Sequence, residues 1–313
     1  MEVDKIPDPK VIVLILSYDG KYLLEDSISS YLANDYPNLS IVVIDNGSKD
    51  GTKEWVEQNY PGVNVLRTEK NLGYSGGFNF GLEYAFIKCQ ADYVLITNND
   101  VKADTRVLSE LLKVATKNPL AGFVTGKVYY FDKPDTLQTV GKYEDPIRWN
   151  GEHIGNREVD NGQYDNVEER IFADDIFTLV SRKLYLDTGG YNTIFQFQAE
   201  EYDWQARGKK LGYKIIYTPY AKIWHKESMT IGKKSAFKAY YDSRNPMLVI
   251  LIHKSPEFFR VYFWQHLANG VIKRSLISIK QLNLKTFWAV WKGFLSGLNW
   301  GFRNNKFSVK HFF

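Results

Sequence analysis

Four short apolar runs, each closed by turn residues, limit what the first third of this chain can fold into. "VIVLIL" (Val11 to Leu16) is followed by "SYDG", "IVVID" (Ile41 to Asp45) by "NGSKDGT", "VNVLR" by "EKNLGYSGG", and "YVLIT" by "NND". A continuous apolar run of this length fits a strand covered on both faces. Between the first two runs Tyr22, Leu23, Ile28, Tyr31 and Leu32 recur at helical spacing, and "YPN" stops the helix. A second helix passes through Trp55 and Val56 to end at "YPG", and a third is expected from about Phe78 to Cys89. Strand and helix alternate, so the first 120 residues predict a βα array around a mostly parallel central sheet.

The rhythm then changes. "AGFVTGKVYYF" reads as a further strand, residues 132 to 170 as a polar lobe of loops and hairpins, and "IFTLVS" (Ile176 to Ser181) as a strand. "EEYDWQARGKKLG" reads as a helix closed by Gly212, and "YKIIYTP" as another strand. From about Ser235 the pattern is helical. The expected organisation is a domain over 1–234, with halves 10–120 and 121–234, followed by a C-terminal helical extension over 235–313, the boundary falling near Gly232 to Ser235.

Charge divides along the same line. Residues 254 to 313 carry ten Lys or Arg against the single acid Glu257, a net +9, while the whole chain is only +4, which leaves −5 on residues 1 to 253. Such asymmetry points the basic part at an anionic surface. No apolar stretch nears the roughly 18 to 20 residues of a spanning helix, and "MEVDKIPDPK" has acids and prolines where a signal peptide is basic then apolar. Cys89 is the single cysteine, so no internal disulfide forms. The expected location is cytoplasmic, at the cytoplasmic face of the inner membrane if the basic segment meets lipid.

In a doubly wound sheet the carboxyl ends of successive strands line one crevice, so "DNGSKDG", "KNLGYSGG" and "TNND" can act on one ligand. Asp45 can accept hydrogen bonds from a ribose or a base. Gly73, Gly76 and Gly77 allow close approach of the backbone to a phosphate, with a helix N-terminus following at once. "TNND" is by itself either an ordinary turn or a metal and phosphate site. Glu200, Glu201 and Asp203 of "AEEYD" are either a solvated helix N-terminus, where acids suit the dipole, or catalytic. His225 in "KIWHKES" is either a packed residue or a metal ligand.

"VIVLILSYDG", "VVIDNGSKDGT", "EKNLGYSGGFNFGL" and "YVLITNND" resemble the successive N-terminal signatures of the inverting family 2 glycosyltransferases of GT-A fold, especially the branch with bacterial rhamnosyltransferases. The resemblance continues through "SRKLYLDTGGY", "AEEYDWQARGKKLGYKIIYTPYAKIWH" and "YYDSRNPM", covering roughly residues 10 to 247. It implies that Ser17, Tyr18, Asp45, Gly47, Asn71, Gly73, Gly76, Gly77, Asn79 and Asn99 adjoin the nucleotide. Asp100 would bind a divalent cation, Mg²⁺ or Mn²⁺, joined by His225, which lies 24 residues after Glu201. Glu201 stands at the family's base position, usually an Asp, and Glu200 is the alternative. Asp175 and Trp204 are expected at the sugar or acceptor.

Three departures from the family pattern qualify these roles. The metal motif "NND" keeps one carboxylate, which is enough for a cation that also takes substrate phosphates and waters. Asp175 and Ile176 replace a Gly-Ala pair, and Tyr191 and Asn192 replace Phe-Asp, the latter read as structural. The implied activity is transfer of a sugar from a UDP- or dTDP-linked donor to a glycan or lipid-linked acceptor in surface polysaccharide synthesis. A nucleotidyltransferase and a non-catalytic sugar-nucleotide-binding scaffold are the alternatives; the first would want a lysine-bearing Gly-rich loop after the first strand, which "SYDGKYLLED" does not provide. In the C-terminal segment Phe287, Trp291, Phe294, Leu295 and Leu298 share one expected helical face with lysines beyond it, fitting peripheral membrane contact or else packing on the catalytic domain or in a homodimer. No nucleic-acid motif accompanies the charge, so no nucleic-acid partner is expected.

Overall fold

The computed structural model describes residues 8–226, 235–308 and 311. The expected boundary at Gly232 to Ser235 therefore falls, except for Ser235, outside the described residues. In chain order the first half comprises β1 (Val11–Ser17), α1 (Leu24–Leu32), β2 (Leu39–Asp45), α2 (Thr52–Asn59), β3 (Asn64–Arg67), α3 (Gly73–Glu83), β4 (Tyr93–Asn98), β5 (Val101–Ala103) and α4 (Val107–Ala115). There follow β6 (Ala121–Tyr130), β7 (Lys133–Thr139), β8 (Lys142–Asp145), β9 (Trp149–His153), β10 (Glu168–Arg170), β11 (Phe177–Ser181), α5 (Arg182–Thr188), α6 (Glu200–Lys210) and β12 (Lys214–His225). The C-terminal helices are α7 (Ala236–His253), α8 (Pro256–Gln265), α9 (Arg274–Lys280) and α10 (Leu284–Arg303).

The sheet order is β10-β12-β6-β11-β4-β1-β2-β3, with β5 on β12 and β7 on β6. β3, β2, β1 and β4 are mutually parallel, as the alternation predicts. β11 enters antiparallel between β4 and β6, and β12 then runs parallel to β6, so the sheet is mixed although most strands share one direction. Because β11 is reversed, its beginning lies beside the carboxyl end of β4: Phe177 pairs with Thr97. Residues just before β11 are thereby delivered to the same crevice as the residues after β4.

Alternate residues of β1 feed two layers. Val11, Val13 and Ile15 join Ile28, Tyr31, Val56 and Leu111 on one face. Ile12 and Leu14 join Phe78, Leu82, Phe86 and Trp204 on the other. Burial on both faces is why these strands read as unbroken apolar runs. The third helix starts at Gly73 and not at Phe78, so Gly76 and Gly77 are helical. Their smallness serves packing: a Cβ on Gly77 would stand 2.6 Å from Leu16 Cδ1 on the sheet below. The predicted strand "YKIIYTP" runs on to His225, carrying Pro219 in an irregular stretch where pairing with β6 skips from Tyr217 to Lys222. Proline has no N–H to offer the ladder, and a bulge is where a strand tolerates it.

A third core joins the segments around α6 to the C-terminal helices. Phe172, Phe195, Tyr202 and Ala206 pack with Met247, Leu248, Ile250, Phe259, Tyr262 and Phe294. The basic C-terminal helices are thus built onto α6. On α10 the buried face is Val290, Gly293, Phe294, Gly297 and Gly301, so Phe294 turns inward instead of sharing an outer face with Leu295. Leu284, Trp288, Leu295 and Phe302 form the exposed stripe, each more than half exposed. No helix among the described residues is long and apolar enough to cross a membrane.

Candidate active site

The loop after β2 is a rigid corner. Asp45 is buried at the strand end; its Oδ1 accepts from Ser48 N at 2.8 Å. Its Oδ2 has no hydrogen bond among the described residues and is ion-paired with Arg67 Nη1 at 3.2 Å. Asn46 pins the neighbouring loop, donating to Asn71 Oδ1 and Gly73 O and accepting from Leu72 N. Gly47 has φ +78°, and a Cβ there would stand 2.6 Å from the Lys70 carbonyl carbon. Asn71 Oδ1 also accepts from Gly73 N, so its acceptor is spent on the loop itself.

The expected nucleotide residues divide into two groups. Ser17 and Asn99 bond each other across the cleft floor at 3.2 Å, and Tyr18 stands exposed beside them. Asn79 lies elsewhere: both ends of its amide are taken by the Tyr191 backbone, each at 2.8 Å, which ties α3 to the turn before α6. That arrangement makes Asn79 a clamp between two segments, and it uses one of the two amide hydrogens and one oxygen lone pair.

β5 turns back from the "NND" segment and pairs with the end of β12, Val101 opposite His225. Both Asp100 and His225 are buried, with His225 Nε2 3.1 Å from Asp100 Oδ1. The other ring nitrogen, Nδ1, lies 2.8 Å from Gln138 Oε1. With Gln138 so oriented, Nδ1 carries the proton and donates it. Nε2 is then the ring atom that faces the carboxylate oxygen, and a nitrogen and an oxygen at this distance can share a proton or a cation.

The second cluster gathers at the start of α6. Asp175, Glu200 and Glu201 each place a carboxylate oxygen so that all three lie within 4.8 Å of one another. Glu200 is buried, and its Oε2 has no hydrogen-bond partner among the described residues. Burial, with Glu201 and Asp175 beside it, pushes its carboxyl well above the usual range. Burial and then the Glu201 charge likewise raise Asp175, to about 8. Tyr191 Oη donates to Asp175 Oδ2 at 3.2 Å, so the residue that reads as structural also faces the site. Trp204 does not: it is 1 % exposed, donates to Thr188 Oγ1 and packs edge-on against Phe123 and Tyr191. Trp204, expected at the sugar or acceptor, thus occupies a core position in this structure.

Several residues at the site had no signal in the sequence. Lys142, at the head of β8, reaches Asp174 Oδ1 at 2.6 Å and Glu201 Oε1 at 3.3 Å. His153 Nδ1 lies 2.9 Å from Asp174 Oδ2. Both come from the lobe that reads only as polar hairpins. Asp174 adjoins Asp175, and that doubled acid was a usable hint. Asn245 of α7 donates to the carbonyls of Phe195, Phe197 and Gln198, holding the loop that leads into α6. Asp203 turns inward, paired with Arg207 and with His253 of α7, so of the three acids only Glu200 and Glu201 address the cleft cluster.

Comparison with known proteins supplies the frame. A model of the family described as "Glycosyl transferase family 2" matches residues 12–181. The N-acetylglucosaminyl-diphospho-decaprenol L-rhamnosyltransferase of Mycobacterium tuberculosis is 25% identical over 247 residues, which is 72% of this chain and 78% of that protein. The poly-beta-1,6-N-acetyl-D-glucosamine synthase of Staphylococcus epidermidis is 25% identical over 225 residues, 70% of this chain but only 50% of the synthase. Among solved structures, GalNAc-T7 with UDP, GalNAc and Mn²⁺ superposes with a TM-score of 0.64 at 12% identity, covering 95% of this chain and 58% of that one, a likeness of fold.

Proposed function

The chain belongs to the glycosyl transferase family 2, and from that membership and its site we propose that it moves a hexosyl or deoxyhexosyl group from a UDP- or dTDP-linked donor to a lipid-linked carbohydrate acceptor, with inversion. The observation that carries the reading is two clusters at the same end of the sheet: Asp100 after β4 with His225 at the end of β12, and the carboxylates of Glu200, Glu201 and Asp175, the last just before β11, whose first residue pairs with Thr97. The lipid-linked acceptor and the surface-polysaccharide setting follow the printed activities of the mycobacterial and staphylococcal relatives.

In this reading Asp45 and the loop behind it seat the nucleoside. Nε2 of His225 and the Asp100 carboxylate are a nitrogen and oxygen donor set suited to Mn²⁺ or Mg²⁺ with substrate phosphates and waters completing the shell. Bound there, such a cation supplies charge stabilisation to the departing diphosphate. Glu201 accepts the acceptor's hydroxyl proton. The freed oxygen pair forms the new bond to the anomeric carbon, and the old carbon–oxygen bond breaks with its electrons leaving on the nucleoside diphosphate. Glu200 and Asp175, held towards their neutral forms, can donate hydrogen bonds to sugar hydroxyls instead of competing for the proton.

The C-terminal part fits an anionic lipid surface at the place where a lipid-linked acceptor would reside. Leu284, Trp288, Leu295 and Phe302 form one exposed stripe of α10, and exposed Lys285, Lys292 and Arg303 fall along one flank of it at the helical repeat. The test of the activity is a donor screen: UDP- and dTDP-sugars incubated with the full chain and decaprenyl-diphospho-N-acetylglucosamine, with Mn²⁺ or with EDTA. Sugar transfer that stops in EDTA supports the reading. Equal transfer in EDTA removes the cation from it, and transfer with retention of anomeric configuration removes the single-base mechanism.

A further inference from the structure

Three carboxylates within 4.8 Å of one another cannot all be ionised at small cost, since like charges at this separation repel. Something must decide which of them holds the negative charge. Lys142 is placed to do so. Its backbone N donates to Phe172 O at 2.9 Å, which fixes the start of β8 against the segment leading to Asp174. Its ammonium is buried, hydrogen-bonded to Glu201 Oε1 at 3.3 Å and in a tighter contact with Asp174 Oδ1 at 2.6 Å. Among the described residues, Glu201 alone of the three carboxylates is paired with a cation.

The remaining titratable neighbours all leave that assignment in place. His153 from β9 faces the far oxygen of Asp174, and Tyr202 of α6 lies under the ammonium, 4.7 Å from ring centre to Nζ. Tyr74 and Tyr191 face Asp175, with hydroxyls that burial and the neighbouring acids keep protonated. Burial opposes the charge on Lys142, but Asp174 first, then Tyr202 and Glu201, hold it well above the ordinary lysine range. Asp174 takes most of the ammonium's charge at short range. Glu201 Oε1, at 3.3 Å, is the second carboxylate oxygen that the same ammonium faces.

We propose that Lys142, anchored by Asp174 and His153, is the positioning residue that makes Glu201, and not the adjacent Glu200, the proton acceptor. The inference rests on the reading that this pair of glutamates supplies the base. It assigns to the hairpin β8–β9 a part in catalysis: the strand head carries the cation, so a shift of the hairpin would change which acid is charged.

The test reads ionisation directly and needs no substrate. Full-length protein labelled at the glutamate side-chain carboxyls is titrated by carboxyl ¹³C NMR, with Glu201→Gln and Glu200→Gln identifying the two resonances. Glu201 is expected to ionise at lower pH than Glu200. In Lys142→Met its midpoint should rise by about one unit or more, a tenfold loss of the ionised fraction per unit, and in Lys142→Arg it should return. Should Lys142→Met unfold the protein by stranding Asp174, the double variant Lys142→Met/Asp174→Asn removes both charges and is titrated in its place. A midpoint unmoved in the folded Met variant, or Glu200 ionising first in the wild type, overturns the proposal. The two readings fail separately: if Glu201→Gln transfers sugar normally, the glutamate base is wrong whatever Lys142 does. If that variant is inactive while the midpoint ignores Lys142, only the positioning role is lost.

Discussion

Replacing Asn245 by Ala should cost the enzyme both stability and turnover, although the residue touches no substrate. Gln196, Gln198 and Ala199, all just before α6, have φ of 49°, 66° and 70°, a left-handed region that residues with side chains populate at a cost of about 1 to 3 kcal/mol each. The Asn245 amide nitrogen, fully buried on α7, lies 2.7 to 2.8 Å from three carbonyls of this loop, which share its two hydrogens. Truncation removes those bonds and leaves buried carbonyls short of donors, a loss of about 3 kcal/mol once water partly fills the gap. That is the same order as the strain being held, so the loop should relax. At ~2.1 cal/mol/K per residue, 313 residues give an unfolding entropy of about 0.66 kcal/mol/K, so Tm should fall by about 4 to 5 °C. Glu201 lies two residues beyond Ala199, and a displacement near 1 Å at a catalytic group costs about 10²-fold in rate. Scanning calorimetry and release of nucleoside diphosphate measure the two effects. Asn245→Asp, which keeps the shape but turns a donor into an acceptor, should be no better. A variant with turnover within about twofold of wild type and Tm within about a degree would show that the loop holds its own conformation, and the clamp argument would fall.

Four further outcomes follow from the site. Glu201→Gln should lose about 10² to 10⁴ in turnover with donor affinity kept, and Glu201→Asp about 10² through withdrawal of the carboxylate by one methylene; normal turnover in Gln would remove the base. Asp100→Ala should abolish Mn²⁺-dependent nucleotide binding by calorimetry, while Gln138→Leu, which frees the His225 ring, should weaken it by about 10 to 100-fold. Asp175→Asn should stabilise the protein relative to wild type as pH rises. The folded pKa is raised from 3.8 to about 8, so wild type holds its full stability only below about 4, loses it progressively up to about 8, and the difference in Tm should then level off. Trp288→Ser/Leu295→Ser, exposed positions that leave the α10 core intact, should reduce flotation with phosphatidylserine liposomes at low salt. Unchanged flotation, or none by the wild type, moves that face to a homodimer contact, read by sedimentation.

The parallel half of the fold was legible because its signal is local. Buried strands produce unbroken apolar runs, their ends must turn, and the polar residues of "DNGSKDG" and "NND" fall at those ends wherever the sheet goes. Asp45 and Asp100 fall at such strand ends, while the roles expected of Asp100, Glu200 and Glu201 came from the family resemblance. Local signal could not separate Asn79 and Trp204 from their neighbours, since in a helix the direction of a side chain depends on what packs against each face, and both face inward to Tyr191 and Thr188. Nor could it find Lys142, which reaches Glu201 across 59 residues of chain, or Asn245, whose three bonds span 47 to 50. Those contacts exist because β11 runs backwards beside β4 and because α7 packs on α6. The sequence therefore determined which residues could do chemistry, through composition at strand ends. Only tertiary structure decided which acid meets a buried cation, which loop is held under strain and what holds it, since an ion pair and a clamp are properties of distance in space.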